Sequence, residues 1–68
     1  MKKIEYKVMI NIWNGARGIA SDDYTEEYDG VTYFDEAKAR EVLQKARQET
    51  KNDLSVNFCY LDKIEVYL

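Results

Sequence analysis

The chain contains no histidine and only one cysteine, and these absences exclude most familiar catalytic and metal-binding arrangements. Without histidine, the commonest general base and the commonest metal ligand are both missing. Cys59 has no second cysteine for a disulfide or a redox pair, so we interpret it as an inert small residue of a strand. The acidic residues do not follow the alternate spacing of an EF-hand loop. We therefore expect no enzymatic activity, no metal and no cofactor.

Long apolar runs are also absent. No stretch approaches the roughly 20 residues of a membrane span, and Met1-Lys2-Lys3 leads directly into a strand pattern, without the apolar region of a signal peptide. We therefore predict a cytoplasmic protein with no membrane partner, in a compartment where a lone thiol stays reduced. A chain of 68 residues is expected to form one domain, residues 1–68, with only a small core.

Negative charge is concentrated in one segment that is also rich in tyrosine. From Asp22 to Glu36 the chain has seven acidic residues and no Lys or Arg, whereas the formal net charge of the whole chain is only −3. Carboxylates accept bidentate bonds from Arg, and aromatic rings stack on guanidinium groups. The predicted partner-binding residues are therefore Asp22, Asp23, Tyr24, Glu26, Glu27, Tyr28 and Asp29. The alternative is an acidic hairpin that only keeps the protein soluble.

The first strand is predicted by strict alternation from Ile4 to Trp13, with Ile4, Tyr6, Val8, Ile10 and Ile12 on one side. The Asn14-Gly15 dipeptide suits a type I′ turn, although residues 14 to 23 could instead form one longer loop. Two short strand-like runs, 24–28 and 31–34, follow on either side of Asp29-Gly30. They indicate either a hairpin or a single strand with a glycine bulge, and the sequence leaves both open.

A helix is predicted for residues 36 to 50, which contain neither Gly nor Pro. Asp35 is a favourable N-cap, and Asn52 could end the helix in the left-handed conformation. The apolar stripe recurs at helical spacing and consists of Ala39, Val42, Leu43 and Ala46.

The C-terminal residues alternate again from Val56 to Leu68. One straight strand from Leu54 to Leu68 would span about 50 Å, so we expect a turn or bulge near Leu61-Asp62-Lys63. The predicted fold is α+β, an antiparallel sheet of three to four strands with one helix packed on one face. Its expected core comprises Ile4, Val8, Ile10, Val42, Leu43, Ala46, Val56, Phe58 and Ile64.

A homodimer is also predicted, because one helix cannot cover both faces of the sheet. The apolar side chains assigned to the uncovered face are Met9, Trp13, Cys59, Leu61 and Tyr67. An exposed patch of this kind usually marks an interface, and the alternative is a set of scattered surface aromatics.

The segment Gly-Val-Thr-Tyr-Phe-Asp at residues 30–35, followed by Glu36-Ala37-Lys38-Ala39, gives the chain a resemblance to small acidic α+β proteins of phages and prophages. That group includes anti-CRISPRs and other anti-defence inhibitors. The resemblance implies an inhibitor that binds a host complex.

The leading hypothesis is therefore a non-enzymatic protein-binding module that recognises a basic host protein or a nucleic-acid-binding complex. One alternative is a sheet that binds single-stranded RNA or DNA, with Trp13 stacking on bases and the helix cations contacting phosphates. The acidic pI of about 4.8 argues against nucleic acid as a partner. A structural homo-oligomer subunit is the third possibility.

Overall fold

Three strands and one helix make up the part of the chain that the computed structural model describes, residues 1–13 and 23–68. The elements are β1 (Lys2–Ile12), β2 (Tyr24–Glu27), α1 (Glu36–Thr50) and β3 (Val56–Tyr67). Both strand pairs are antiparallel, and the order in the sheet is β2-β1-β3. The predicted α+β fold is confirmed. The predicted Asn14-Gly15 turn lies outside the described residues.

Strand β1 lies in the centre of the sheet and supplies most of its core residues. Its alternation is confirmed, because Tyr6, Val8 and Ile10 are buried beneath the helix and Val8 has no exposed surface at all. A β-branched residue such as Val packs well on a pleated surface, which explains why this strand forms where it does.

Strand β3 pairs with β1 along its whole length, from the Lys2–Tyr67 pair to the Ile12–Val56 pair, with one register shift between Asn11 and Ile12. The prediction of a turn or bulge near Leu61-Asp62-Lys63 was therefore wrong, because the pairing with β1 is regular there. A long strand is stable here because β1 satisfies its hydrogen bonds over an equal length. The molecule is elongated as a result: its long axis is 47 Å, and its radius of gyration is 13.9 Å, against about 11 Å for a compact chain of this length.

The irregularity in β3 lies near its start, at Asn57. Asn11 pairs with Phe58 and Ile12 pairs with Val56, which leaves Asn57 as an extra residue. A one-residue bulge reverses the side to which every following residue points.

This reversal corrects several predictions about β3. Cys59 and Leu61 pair with Ile10 and Val8 and therefore lie on the helix side, where both contact the core. Phe58 and Ile64, which were predicted to be core residues, lie on the side without the helix.

Helix α1 begins as predicted, because the Asp35 carboxylate accepts a hydrogen bond of 3.0 Å from the backbone N–H of Ala37. Ala39, Leu43 and Ala46 are its buried residues, and the two alanines allow the helix to lie close to the sheet. Asn52 does not adopt the left-handed conformation, since no described residue other than glycine has a positive φ.

The Asp29-Gly30 pair does not form a hairpin. The segments before and after it both run beside β1 in the same direction. On one side of it, the N–H of Tyr28 donates to the carbonyl of Val8 at 2.8 Å, and on the other side Tyr33 exchanges two hydrogen bonds with Tyr6. Gly30 has a φ of 70°, which favours glycine. Of the two alternatives for this segment, the structure therefore agrees with a single strand interrupted at the glycine, and not with a hairpin.

The helix covers only part of the sheet. Fifteen helical residues extend for about 22 Å, whereas the 11 residues of β1 extend for about 36 Å. The core consists of Val8, Ile10, Leu43, Ala46 and Cys59. The end of the sheet formed by residues 2–4 and 65–67, which we call the arm, therefore extends beyond the helix.

We expect Leu43→Asp to unfold the domain. Leu43 is 8% exposed and faces β1 and β3, and burying an unpaired carboxylate costs several kcal/mol, as much as the whole stability of so small a domain. Leu54→Asp is the matched control, because Leu54 is 92% exposed. Thermal melting followed by circular dichroism should show a lost transition for the first variant and a nearly unchanged one for the second. A wild-type melting curve for Leu43→Asp would contradict this packing.

Candidate interaction surface

Several residues of the acidic segment serve the fold itself. Glu27 forms an ion pair with Lys7 of the neighbouring strand. The carboxylate of Asp29 accepts hydrogen bonds from the N–H of Val31, at 3.1 Å, and from the hydroxyl of Tyr33. The carboxylates of Glu27 and Asp29 therefore already have partners within the molecule.

The two tyrosines predicted to anchor a partner have different environments. Tyr24 is 45% exposed on strand β2. Tyr28 is half-buried, packs against the core and donates its hydroxyl hydrogen to Glu49 of the helix. Tyr24 therefore faces solvent and can contact a partner, whereas Tyr28 joins β2 to the helix.

Strand β2 forms one edge of the sheet, and all four of its residues are exposed. Its register with β1 places Thr25 and Glu27 on the side without the helix, and Tyr24 and Glu26 on the helix side. Asp23 precedes the strand and is also exposed. We call Asp23, Tyr24, Glu26 and Glu27 the acidic edge. Asp22, also predicted to bind the partner, lies outside the described residues.

The side of the sheet without the helix carries a cluster of aromatic and apolar side chains. Trp13 is 42% exposed and Phe58 is 54% exposed. The ring of Tyr60 lies 5.9 Å from that of Phe58, measured between centroids. We call Trp13, Phe58, Tyr60 and the neighbouring Met9 the aromatic face. Sequence reasoning missed Phe58 and Tyr60, because nothing in the alternation revealed the bulge at Asn57.

A buried asparagine joins all three strands beneath the aromatic face. The side-chain amide of Asn11 donates to the hydroxyl of Thr25 in β2 at 3.0 Å, and its carbonyl oxygen accepts from the Asn57 side chain in β3 at 2.9 Å. No buried side-chain nitrogen or oxygen in the described residues is without a partner. This network holds the bulge in place and fixes the position of the adjacent Phe58.

Most charged side chains on the same side of the sheet are paired, and the sum of their charges is slightly negative. Lys3 lies 3.2 Å from Glu5, and Lys7 is paired with Glu27. The hydrogen bond from Lys7 to Glu27, and then the attraction of that carboxylate, raises the pKa of Lys7. Asp62 of β3 lies opposite Lys7 of β1 in the strand register and adds a further negative charge.

A cavity of about 270 Å³ lies between the end of the helix and the start of β3. The Arg47 guanidinium beside it donates to the carbonyl of Cys59 at 3.2 Å, and the Thr50 hydroxyl donates to the carbonyl of Ala46 at 2.8 Å. None of the described residues that line the cavity carries a carboxylate. Among residues 1–13 and 23–68 there is also no group of three side chains that could hold a metal ion.

Comparison with protein-family models, with curated proteins and with solved structures finds no match for this chain. Within the described part of the chain, no helix is long and apolar enough to cross a membrane. The acidic edge and the aromatic face are the features of the described residues that suggest a function.

We expect stability to fall as the pH rises from about 10 to about 12. Hydrogen bonds to Glu49 and Asp29, together with partial burial, raise the pKa of Tyr28 and of Tyr33 to about 12, whereas tyrosines of the unfolded chain ionise near pH 10. The folded state therefore retains these protons longer, and the stability they contribute is present below pH 10 and lost above it. Urea unfolding across this range should show the loss. The double variant Tyr28→Phe/Tyr33→Phe should show a smaller loss, and an identical loss would contradict the assignment.

Proposed function

We propose that the protein is a non-enzymatic protein-binding module that recognises a basic partner through its aromatic face and acidic edge. The observation that carries this proposal is the exposure of Trp13 and Phe58 on a sheet whose edge strand β2 has only exposed residues. A partner that covers the aromatic face and extends around the edge of β2 contacts both sets of residues, because Tyr24 and Glu26 lie on the helix side of that edge.

The aromatic side chains supply the binding energy in this proposal. Large aromatic residues that become desolvated at the centre of an interface dominate most protein–protein contacts. Phe58 is held by the sheet and by the network of Asn11 beneath it. A rigid aromatic residue loses little conformational entropy when it binds, which favours affinity.

The acidic edge supplies the preference for a basic partner. Asp23 and Glu26 are exposed, and neither forms an ion pair with any described residue. They can therefore accept Lys or Arg from a partner without first breaking an ion pair with another described residue. Such exposed charges act mainly on the rate of association and on specificity, so binding should weaken as salt increases.

Binding to single-stranded nucleic acid is the second candidate, and the ring pair of Phe58 and Tyr60 favours it, because exposed rings on a sheet stack on bases. The charges favour a protein partner instead. Phosphate binding needs cations, whereas Lys3 and Lys7 are both paired with carboxylates.

A basic surface that binds this protein could otherwise hold a phosphate backbone. We therefore propose, as the specific form of this function, an inhibitor of a nucleic-acid-binding protein or complex, such as a phage-type inhibitor of host defence. The proposed location is the cytoplasm, where the buried thiol of Cys59 would remain reduced.

We expect Glu26→Lys to weaken binding of a fluorescent arginine-rich peptide, measured by fluorescence anisotropy, by roughly three- to tenfold, because it replaces an attraction with a repulsion. Glu41→Lys is the matched control, because it makes the same charge change at an exposed position of the helix. Glu41 lies outside the acidic edge and is paired with Lys38 at 3.7 Å. The control should bind nearly as well as the wild type. Equal losses in both variants would indicate an effect of net charge alone and would contradict a role for the acidic edge.

We also expect Phe58→Ala to weaken binding of the same peptide roughly tenfold, as loss of an interface anchor does. Phe34→Ala is the control, because Phe34 is similarly exposed but lies beside Lys3. A single-stranded oligonucleotide serves as the competing probe. Tighter binding of the oligonucleotide than of the peptide would support the nucleic-acid alternative, and binding of neither probe would contradict the proposal.

A further inference from the structure

The outer edge of β3 is the longest unpaired strand edge in the described residues. Strand β3 has 12 residues and pairs only with β1 among the described strands. A long open edge exposes a row of backbone N–H and C=O groups that can pair with another strand. β2, the other edge strand, has only four residues.

Alternation of the hydrogen bonds identifies which groups of β3 point outwards. Tyr6 and Val8 of β1 direct their backbone groups towards the β2 side, so the residues between them bond to β3. The residues of β3 whose backbone N–H and C=O groups point away from β1 are therefore the odd-numbered ones. At Cys59 the outward carbonyl is occupied by Arg47, at 3.2 Å. The free part of the edge consists of Leu61, Lys63, Glu65 and Tyr67.

We propose that this free edge pairs with the same edge of a second copy of the chain, antiparallel and with Ile64 on the two-fold axis. In this register Lys63 lies opposite Glu65 of the second copy, and Glu65 lies opposite its Lys63. Leu61 lies opposite Tyr67 in the same way. An isologous contact repeats each pair, so two salt bridges and two apolar pairs form at once.

The other antiparallel registers are less favourable. A two-fold axis at Lys63 places two lysines opposite each other, and an axis at Asp62 or Glu65 does the same with two carboxylates, which is destabilising. An axis at Leu61 requires the carbonyl of Cys59 to accept a hydrogen bond from the second copy, but this carbonyl already accepts one from Arg47. Charge complementarity and the Arg47 contact together favour the axis at Ile64.

The helix leaves room for this pairing. Residues 65 to 67 of the paired segment lie in the arm, which extends beyond the helix, whereas Leu61 contacts the core. The two helices would lie on opposite sides of the two-fold axis, each over its own core. The product is a six-stranded sheet of order β2-β1-β3-β3-β1-β2, with an acidic edge at each end. This dimer does not depend on the proposed function, because it uses neither acidic edge.

A charge exchange tests the register. Lys63→Glu and Glu65→Lys each place like charges opposite each other twice, so each should weaken dimerisation about tenfold or more in analytical ultracentrifugation. The double variant Lys63→Glu/Glu65→Lys restores both pairs and should dimerise like the wild type. A mixture of the two single variants should form a heterodimer. A monomeric wild type at micromolar concentration, or a double variant no better than the singles, would overturn the proposal.

A cross-link provides a second readout that does not depend on charge. Facing residues at the two-fold axis form a closely spaced pair whose Cα atoms lie about 4.5 Å apart, within the range that a disulfide can bridge. Ile64→Cys should therefore form a covalent dimer on mild oxidation. Val66→Cys is the control, since it lies on the same side of the same strand but faces Asp62 of the second copy. Equal cross-linking of both variants would contradict the register.

Discussion

The pairing of β1 with β3 over their whole length is the interaction on which the rest of the structure depends. Eleven residue pairs join the two strands, and this pairing makes a 12-residue strand stable in a chain of only 68 residues. A 15-residue helix cannot cover so long a ribbon, so one end of the sheet extends beyond the core. The elongated shape, the arm and the long free edge are all consequences of this one pairing.

The bulge at Asn57 determines what each side of the sheet presents. Without it, Phe58 would point towards the helix and Cys59 away from it. With it, the small Cys59 packs beneath Leu43 and Ala46, whereas the larger Phe58 is exposed on the opposite side. Asn11 stabilises this arrangement because its side chain bonds to both neighbouring strands. One buried polar residue thus supports both the core and the aromatic face.

The elements that local chemistry determines could be predicted from the sequence. Asp35 caps the helix, and the helical residues Ala39, Leu43 and Ala46 are buried at the predicted spacing. The side assigned to each residue of β3 could not be predicted, because an inserted residue leaves an alternating pattern looking intact. The contact of Tyr28 with the helix could not be predicted for a different reason: its partner Glu49 lies 21 residues away, and no local pattern reveals that contact. Predictions therefore held where periodicity was uninterrupted and were wrong where tertiary pairing changed it.

The two edges of the sheet differ in length and in charge, and this difference relates the two proposals. An open edge must avoid unwanted pairing, and short strands and charged side chains are the usual means. Strand β2 is short, and its exposed Glu26 and Glu27 repel a second acidic edge. Strand β3 is long and carries Lys63 and Glu65, which attract each other when the two-fold axis lies at Ile64. In the registers centred on residues 62, 63 and 65, Asp62, Lys63 or Glu65 instead faces its own copy and repels it. The same physical rule thus disfavours self-pairing at β2, where the basic partner is proposed to bind, and favours the proposed self-pairing at β3.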